Sequence, residues 1–108
     1  MASFQNLPSI EFEEAFGETE NAVLLDVRTP EEVEVEHIPG AIAIDFRSPD
    51  FADKVSGLEK DKSYFVYCRS GARSASACEL MASQGFGELY NLHGGILGWH
   101  GDTEEGAL

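Results

Sequence analysis

The chain has 108 residues, of which 43% are apolar, enough for one hydrophobic core with little left for a second. We therefore expect a single domain over residues 1–108. The 20 acidic and 7 basic residues give a formal charge of −13. Such a charge argues against binding to nucleic acid or to an anionic membrane surface. No segment approaches the roughly 18 consecutive apolar residues that a membrane span needs.

The first twelve residues, MASFQNLPSIEF, have neither a basic start nor a long apolar run. We therefore expect no secretory signal and a cytoplasmic location. The two cysteines, Cys68 and Cys78, are too few for a disulfide framework. Cys78 lies inside a predicted helix and has no cationic loop beside it, so we interpret it as a small core residue.

The first half of the chain alternates between helical and strand patterns, which is typical of an α/β domain with a parallel sheet. A helix is predicted over residues 9–16, with Gly17 as its stop. Residues 22–27 are nearly all apolar, as in a strand that is buried on both faces. Thr29-Pro30-Glu31-Glu32 then combines an N-cap threonine, a proline at the first helical position and the glutamate of a capping box, which favours a short helix.

The second half continues the alternation after a turn at His37-Ile38-Pro39-Gly40. Strands are predicted over 41–44, 64–67 and 88–92, and helices near 50–56, over 74–83 and in a short stretch through Trp99. The acidic tail, residues 102–106, is expected to fray.

The stretch YCRSGARS, residues 67–74, places a cysteine at the end of a strand and just before a helix. Small residues in the loop allow successive backbone N–H groups to turn toward one point at the positive end of the helix, which forms a cradle for an anion. Arg69 and Arg73 add positive charge, although the sequence does not tell whether both point inward. The pattern therefore predicts a loop that binds an anion next to Cys68.

A free thiol has a pKa of about 8.5, so only about 3% of it is thiolate at pH 7. Helix N-termini and nearby cations lower cysteine pKa values to about 3.5–7.5. Cys68 is therefore a candidate nucleophile toward an anionic substrate. An isolated cysteine at a strand end would more often be a buried core residue, and it is the surrounding loop that favours the nucleophile.

Four segments in order resemble the rhodanese-like sulfurtransferases in their single-domain form. They are Leu24–Glu32 (LLDVRTPEE), His37–Ala41 (HIPGA), Val66–Ser74 (VYCRSGARS) and Gly94-Gly95-Ile96 with Trp99. The similarity extends from about Ser9 to Trp99. It implies an α/β fold with a central parallel sheet of four to five strands and helices on both sides.

The resemblance also implies a double-displacement sulfur transfer. The cysteine takes a sulfane sulfur from an anionic donor such as thiosulfate or a persulfide, and passes it to cyanide or a thiol. Neither a metal nor an organic cofactor is required. Carried over to this chain, Cys68 is the nucleophile and persulfide carrier. The donor and the persulfide would be bound by Arg69, Ser70, Gly71, Ala72, Arg73 and Ser74.

Other polar residues are assigned structural roles. Asp26 at the end of a buried strand is expected to order the neighbouring loop, Arg28 to pair with a nearby acid, and His37 to bond backbone in a turn. His93 and His100 show no metal-ligand spacing with either cysteine, so no metal site is predicted.

Two other functions remain open on the sequence. Cysteine-based phosphatases share the strand, loop and helix layout, but they place five residues between cysteine and arginine, and this chain has four between Cys68 and Arg73. The shorter loop suits a sulfur atom better than a phosphoryl group. The chain could also be a sulfur-relay or regulatory module that exchanges sulfur with, or binds, another protein. The sequence identifies neither the physiological donor and acceptor nor the oligomeric state.

Overall fold

The computed structural model describes residues 4–108. Five parallel strands form one sheet in the order β1-β5-β4-β2-β3. The strands are β1 (Gln5–Leu7), β2 (Ala22–Asp26), β3 (Ile42–Ala43), β4 (Ser63–Tyr67) and β5 (Glu88–Leu92). The helices are α1 (Ser9–Glu18), α2 (Pro30–Val35), α3 (Phe51–Ser56) and α4 (Ala72–Ser83), followed by a short 3₁₀ helix at Ile96–Gly98.

Strand β4 is the centre of the sheet and separates two hydrophobic cores. Successive side chains of a strand point to opposite faces. Tyr64 and Val66 accordingly pack in one core, whereas Phe65 and Tyr67 pack in the other. The first core includes residues of α3 and α4, and the second includes Phe12 of α1. The helices therefore cover both faces, and the predicted α/β fold with a central parallel sheet is confirmed.

Most predicted elements are present, with shifted ends. Helix α1 continues through Gly17, so the predicted stop at that residue is wrong. Strand β3 has only two residues, and both are exposed at the sheet edge, so the prediction of 41–44 was too long. Strand β1 was missed because its three residues carry no strand pattern, and its position is set by pairing with β5.

The capping box predicted at the start of α2 is confirmed. The hydroxyl of Thr29 accepts from the backbone N–H of Glu32, and the carboxylate of Glu32 accepts from the backbone N–H of Thr29. These two contacts satisfy donors that a helix start would otherwise leave without partners. The box therefore fixes both the start of α2 and the position of the Glu32 carboxylate.

The acidic tail does not fray as predicted. Glu104 forms an antiparallel bridge with His37, in which each backbone N–H donates to the other's carbonyl, at 2.9 and 2.8 Å. The backbone N–H of Gly106 also donates to the carbonyl of Glu34 at 2.8 Å. These contacts hold the tail against α2, and composition alone does not reveal them.

Residues 1–3 lie outside the described residues. They are part of the N-terminal stretch from which we expect no secretory signal. Within residues 4–108, no helix has the length and apolar character needed to cross a bilayer.

Candidate active site

Cys68 directly follows β4 and precedes α4, at the carboxyl edge of the sheet. Strand β4 lies between β2 and β5, so the loop that begins at Cys68 is at the middle of this edge. Ligand sites of open α/β sheets lie at that edge. The thiol is nearly inaccessible, because Cys68 is only 1% exposed, while Arg69 and Ser70 are exposed beside it.

Three donors converge on the sulfur atom of Cys68. The backbone N–H of Gly71 lies 3.1 Å from Sγ, the backbone N–H of Ser74 lies 3.4 Å from it, and the hydroxyl of Ser74 lies 3.3 Å from it. Ser74 belongs to the first turn of α4, so the positive end of the helix also faces the sulfur. This arrangement stabilises negative charge on Sγ.

The pKa of the Cys68 thiol reflects two opposing effects. Burial raises it, whereas the hydrogen bonds from Ser74, Gly71 and the backbone of Ser70 lower it. The net result is a pKa below that of an unperturbed thiol. The fold therefore favours the thiolate, which is the nucleophilic form of cysteine.

The backbone of Gly71 turns the loop toward the sulfur. Its φ is +103°, in the left-handed region where glycine carries no steric penalty. A Cβ at this position would also lie 3.3 Å from the backbone nitrogen of Gly94 and from the carbonyl oxygen of Leu92. Glycine is therefore needed both for the turn and for close packing against the chain that follows β5.

The two arginines of the loop have different surroundings. Arg73 donates two hydrogen bonds to the carboxylate of Glu32, at 2.7 and 2.9 Å. Arg69 is exposed and, within the part of the chain that is described, its side chain makes no ion pair. It lines a groove of about 240 Å³ with Val35 and Leu97. The structure thus brings both arginines to the loop but leaves only Arg69 open to a ligand.

The pairing with Glu32 changes both ionisations. The hydrogen bonds from Arg73 lower the pKa of Glu32 to about 2, against an effect of burial in the opposite direction and with help from Thr29. Glu32 in turn raises the pKa of Arg73. Because the same carboxylate completes the capping box of α2, the loop is tied to the start of that helix.

The turn after β5 packs against the backbone of the loop that begins at Cys68. The backbone N–H of Ile96 donates to the carbonyl of Cys68 at 3.0 Å, and that of Leu97 donates to the carbonyl of Arg69 at 3.2 Å. Gly95 lies so close that a Cβ there would come within 2.3 Å of the Arg69 carbonyl oxygen. Glycine at position 95 therefore has a steric reason, because the loop backbone occupies the space of a side chain.

Asp26, Arg28 and His37 have the structural contacts predicted for them. The Arg28 guanidinium donates to both carboxylate oxygens of Asp26, at 2.7 to 3.2 Å, and to the carbonyl of Glu36 at 2.6 Å. Asp26 and Arg28 are both buried. The ring nitrogens of His37 face the carbonyl of Val33 and the carboxylate of Glu104, each at 3.0 Å. None of the three contacts Sγ of Cys68.

Cys78 lies fully buried in α4, as predicted for a core residue. Burial is the main effect that raises its pKa, to about 12. The two cysteines are therefore opposite in character, since one is stabilised as a thiolate and the other as a thiol.

Sequence reasoning missed two polar residues at the site. Glu32 was assigned to the helix cap alone, and its second role toward Arg73 spans 41 positions of the chain. Asn91 on β5 was not singled out, yet its side chain contacts both Ser74 and Gly71. An asparagine between Tyr90 and Leu92 of a strand is the signal that could have found it, because a polar residue among buried neighbours needs buried partners.

Comparison with known proteins identifies the family of the chain. The family model of the rhodanese-like domain matches residues 10–102. The chain belongs to the rhodanese-like domain family. A sulfurtransferase of Allochromatium vinosum is 40% identical over 82 residues, which cover 76% of this chain and 75% of that protein. Thiosulfate sulfurtransferase GlpE of Pseudomonas syringae is 36% identical over 99 residues, covering 92% and 90% of the two chains.

Solved structures show the same fold. The crystal structure of a rhodanese-like domain protein from Staphylococcus aureus matches with a TM-score of 0.80 at 28% identity. The match covers 95% of this chain and 99% of that one. The family resemblance identified from the four sequence segments is therefore confirmed.

Proposed function

We propose that this protein is a sulfurtransferase that carries sulfur as a persulfide on Cys68, with thiosulfate as a donor. The observation that carries the proposal is the convergence of three hydrogen-bond donors on Sγ of Cys68 at the start of α4. These donors stabilise the thiolate that attacks in the first half-reaction and the thiolate that is released in the second, which is the charge that both half-reactions place on Sγ.

In the first half-reaction, the Cys68 thiolate attacks the outer sulfur of thiosulfate. A bond forms between Sγ and that sulfur, the S–S bond of thiosulfate breaks, and sulfite leaves with the electron pair. In the second half-reaction, cyanide or a thiolate attacks the outer sulfur of the persulfide. The bond to Sγ then breaks and the Cys68 thiolate is restored. Each step conserves charge, and neither requires a general base once the thiolate exists.

Arg69 is the residue that we assign to the oxyanion end of the donor. Its side chain is exposed at the position that directly follows Cys68 and lines the groove next to the loop. Charge-assisted hydrogen bonds from a guanidinium suit a sulfonate-like group. Arg73 contributes its charge to the same region while its hydrogen bonds go to Glu32, so we assign it mainly to holding the loop. Ser70 and Ala72 are exposed at the mouth, where their backbone would contact the donor.

This arrangement supports sulfur transfer over phosphoryl transfer. The arginine that closes a phosphatase loop must face the phosphate, and in this chain the corresponding Arg73 is engaged by a carboxylate. The loop interior also holds Sγ within hydrogen-bond reach of Gly71 and Ser74, which suits one additional sulfur atom.

A protein thiol or protein persulfide is a second candidate partner. The groove that contains Arg69 is flanked by Val35 and Leu97, which are 72% and 65% exposed. Exposed apolar side chains at the mouth of a site favour contact with another protein. Thiosulfate would then be an alternative donor, and the protein would act as a sulfur relay in the cytoplasm.

Thiosulfate-dependent conversion of cyanide to thiocyanate tests the proposal. We expect turnover with the wild type and with Cys78→Ala, and none with Cys68→Ala, so that the two cysteine variants serve as a matched pair. Turnover that survived in Cys68→Ala would contradict the assignment of the nucleophile. Full loading of Cys68 by a protein persulfide without turnover of thiosulfate would instead identify the relay.

A second pair of variants tests the donor site. Arg69→Ala is expected to raise KM for thiosulfate with a smaller effect on kcat, because it removes a charge that binds the donor. Lys62→Ala removes the same charge immediately before β4, at the other end of the strand from Cys68, and is expected to leave KM unchanged. Equal effects of the two variants would show that Arg69 acts only through the total charge of the protein.

A further inference from the structure

The hydroxyl of Ser74 has one proton and three acceptors around it. Its Oγ lies 3.3 Å from Sγ of Cys68 and 3.2 Å from the carbonyl oxygen of Gly71, and it is in close contact with Oδ1 of Asn91. Ser74 is fully buried and Asn91 is 3% exposed, so water does not readily supply further partners. The proton must therefore be shared among fixed acceptors.

The orientation of the Asn91 amide follows from its other contacts. Its Nδ2 lies 2.8 Å from Oδ1 of Asn6 and 3.2 Å from the carbonyl oxygen of Gly71. A carbonyl oxygen can only accept, so the nitrogen of the Asn91 amide must face it. The amide oxygen then faces Ser74, where it can only accept.

The carbonyl of Gly71 is not a strong competitor for the hydroxyl proton. It already accepts from Nδ2 of Asn91 and from the backbone N–H of Ala75, at 3.2 and 3.1 Å. A carbonyl oxygen has two lone pairs, and these two donors occupy them. The choice for the Ser74 proton is therefore between Oδ1 of Asn91 and Sγ of Cys68.

We propose that Asn91 is a positioning residue that accepts a hydrogen bond from the Ser74 hydroxyl while the Cys68 sulfur is neutral. When that sulfur becomes negative, the hydroxyl donates to the sulfur instead. This inference rests on the proposed function for its place in the reaction. A neutral thiol, or the inner sulfur of a persulfide, is a weak acceptor, so the hydroxyl donates to Asn91. A thiolate attracts the hydroxyl more strongly, because hydrogen bonds to charged groups are the stronger ones.

This change of hydrogen-bond partner gives the Cys68 sulfur an additional donor in the second half-reaction, when the sulfur becomes a thiolate. As the acceptor attacks the outer sulfur, the S–S bond breaks and its electron pair stays on Sγ of Cys68. The Ser74 hydroxyl then rotates from Asn91 to Sγ while its proton remains bonded to Oγ. No bond of Ser74 or Asn91 is broken, and the leaving thiolate gains one donor.

The arrangement has a testable consequence, which is that Asn91 competes with the thiolate for the hydroxyl. The ultraviolet absorbance of the thiolate reports the ionisation of Cys68 in the reduced protein without any sulfur donor. Cys78 does not interfere, since burial raises its pKa to about 12. We expect Asn91→Ala to lower the midpoint of the Cys68 titration by about 0.7 unit, because a neutral hydrogen bond is worth about 1 kcal/mol and one pKa unit about 1.4.

A double-mutant cycle shows whether the effect passes through Ser74. Ser74→Ala is expected to raise the midpoint, because the thiolate loses a donor. In that background Asn91→Ala is expected to produce no further shift. Tyr90→Phe changes the neighbouring position of β5 and serves as the control with no shift, because the hydroxyl of Tyr90 donates to the exposed Glu88. A raised or unchanged midpoint in Asn91→Ala, or the same shift with and without Ser74, would overturn the proposal.

A measurement on the wild type covers the case in which the buried variants do not fold. The side-chain amide resonances of Asn91 should shift with pH at the same midpoint as the Cys68 thiolate, while those of the exposed Asn21 should not. Asn91 resonances that stayed constant through the titration would overturn the proposal. Both measurements omit the sulfur donor, so their failure is distinct from a failure to transfer sulfur.

Discussion

The guanidinium of Arg73 and the carboxylate of Glu32 form a two-point contact, with N–O distances of 2.7 and 2.9 Å. Arg73 lies in the first turn of α4, beside the loop that follows Cys68, and Glu32 lies in the first turn of α2. The contact therefore joins the starts of two helices at the carboxyl edge of the sheet. A parallel pair of hydrogen bonds fixes the orientation of both side chains, which a single point charge would not do.

Glu32 makes stability depend on pH in the acid range. Its pKa is about 2 in the folded protein and 4.5 when unperturbed. A carboxylate whose pKa is lowered by folding contributes its full stabilisation at pH values above its pKa in the unfolded chain. That stabilisation is lost as the pH falls from 4.5 toward 2. We expect Glu32→Gln to lose about 1 kcal/mol at neutral pH and to show a weaker loss of stability over that acid interval.

Urea unfolding at several pH values measures this dependence. Glu31→Gln is the matched control, because Glu31 is exposed in the same helical turn and the change removes the same charge. If the two variants lost stability equally at every pH, the contact with Arg73 would have no measurable effect on stability.

Gly95 and Gly94 provide a test of whether the turn after β5 positions the loop that begins at Cys68. Both have positive φ values, of 62° and 84°, so alanine is strained at either position, and more so at Gly95, whose ψ of −163° lies in a region that essentially only glycine adopts. Only at Gly95 would the added Cβ collide with the backbone of Arg69 and Ser70, at 2.3 to 2.6 Å, whereas Gly94 has open space. We expect Gly94→Ala to fold and keep the cysteine reactive, and Gly95→Ala to displace the loop and lose most reactivity with thiosulfate. Equal activity in the two variants would contradict this role of Gly95.

The buried pair of Asp26 and Arg28 is expected to dominate the electrostatic contribution to stability. Asp26 is fully buried and Arg28 is 5% exposed, so removal of one partner leaves the other charge without compensation. Asp26→Ala is expected to cost about 3–5 kcal/mol, as in other buried pairs. Lys54→Ala removes one partner of an exposed pair and is expected to cost less than about 1 kcal/mol. Thermal unfolding compares the two, and similar losses would show that burial does not set the strength of these pairs.

The rate of persulfide formation should follow the ionisation of Cys68. Its folded pKa lies below that of an unperturbed thiol, so the rate is expected to fall as the pH decreases through a midpoint below that of free cysteine. Rapid mixing with excess thiosulfate over a range of pH measures the midpoint. A midpoint at or above that of free cysteine would mean that burial outweighs the hydrogen bonds from Ser74 and Gly71.

Local signals predicted much of the fold and the core of the site. The capping box at Thr29 and the small-residue loop before α4 are properties of adjacent residues, and both are confirmed by the structure. The buried strand around Tyr64 was also clear, because its apolar run is interrupted by no polar residue. Patterns of this kind are determined within a few positions, so a sequence is sufficient to identify them.

The features that were missed depend on contacts between distant positions. Arg73 had 20 acidic residues as candidate partners, and only the packing of α2 near α4 selects Glu32. Strand β1 has three residues with little burial and exists through its pairing with β5. The tail is held by Glu104, which makes its bridge 67 positions away. None of these partners follows from local propensity, since tertiary packing determines them.

The intact mass of the reduced protein after exposure to thiosulfate tests the central claim most directly. The wild type and Cys78→Ala are expected to gain one sulfur atom each, the gain is expected to be reversed by cyanide, and Cys68→Ala is expected to gain none. No gain in the wild type would contradict thiosulfate as the donor. A gain that persisted in Cys68→Ala would contradict Cys68 as the carrier.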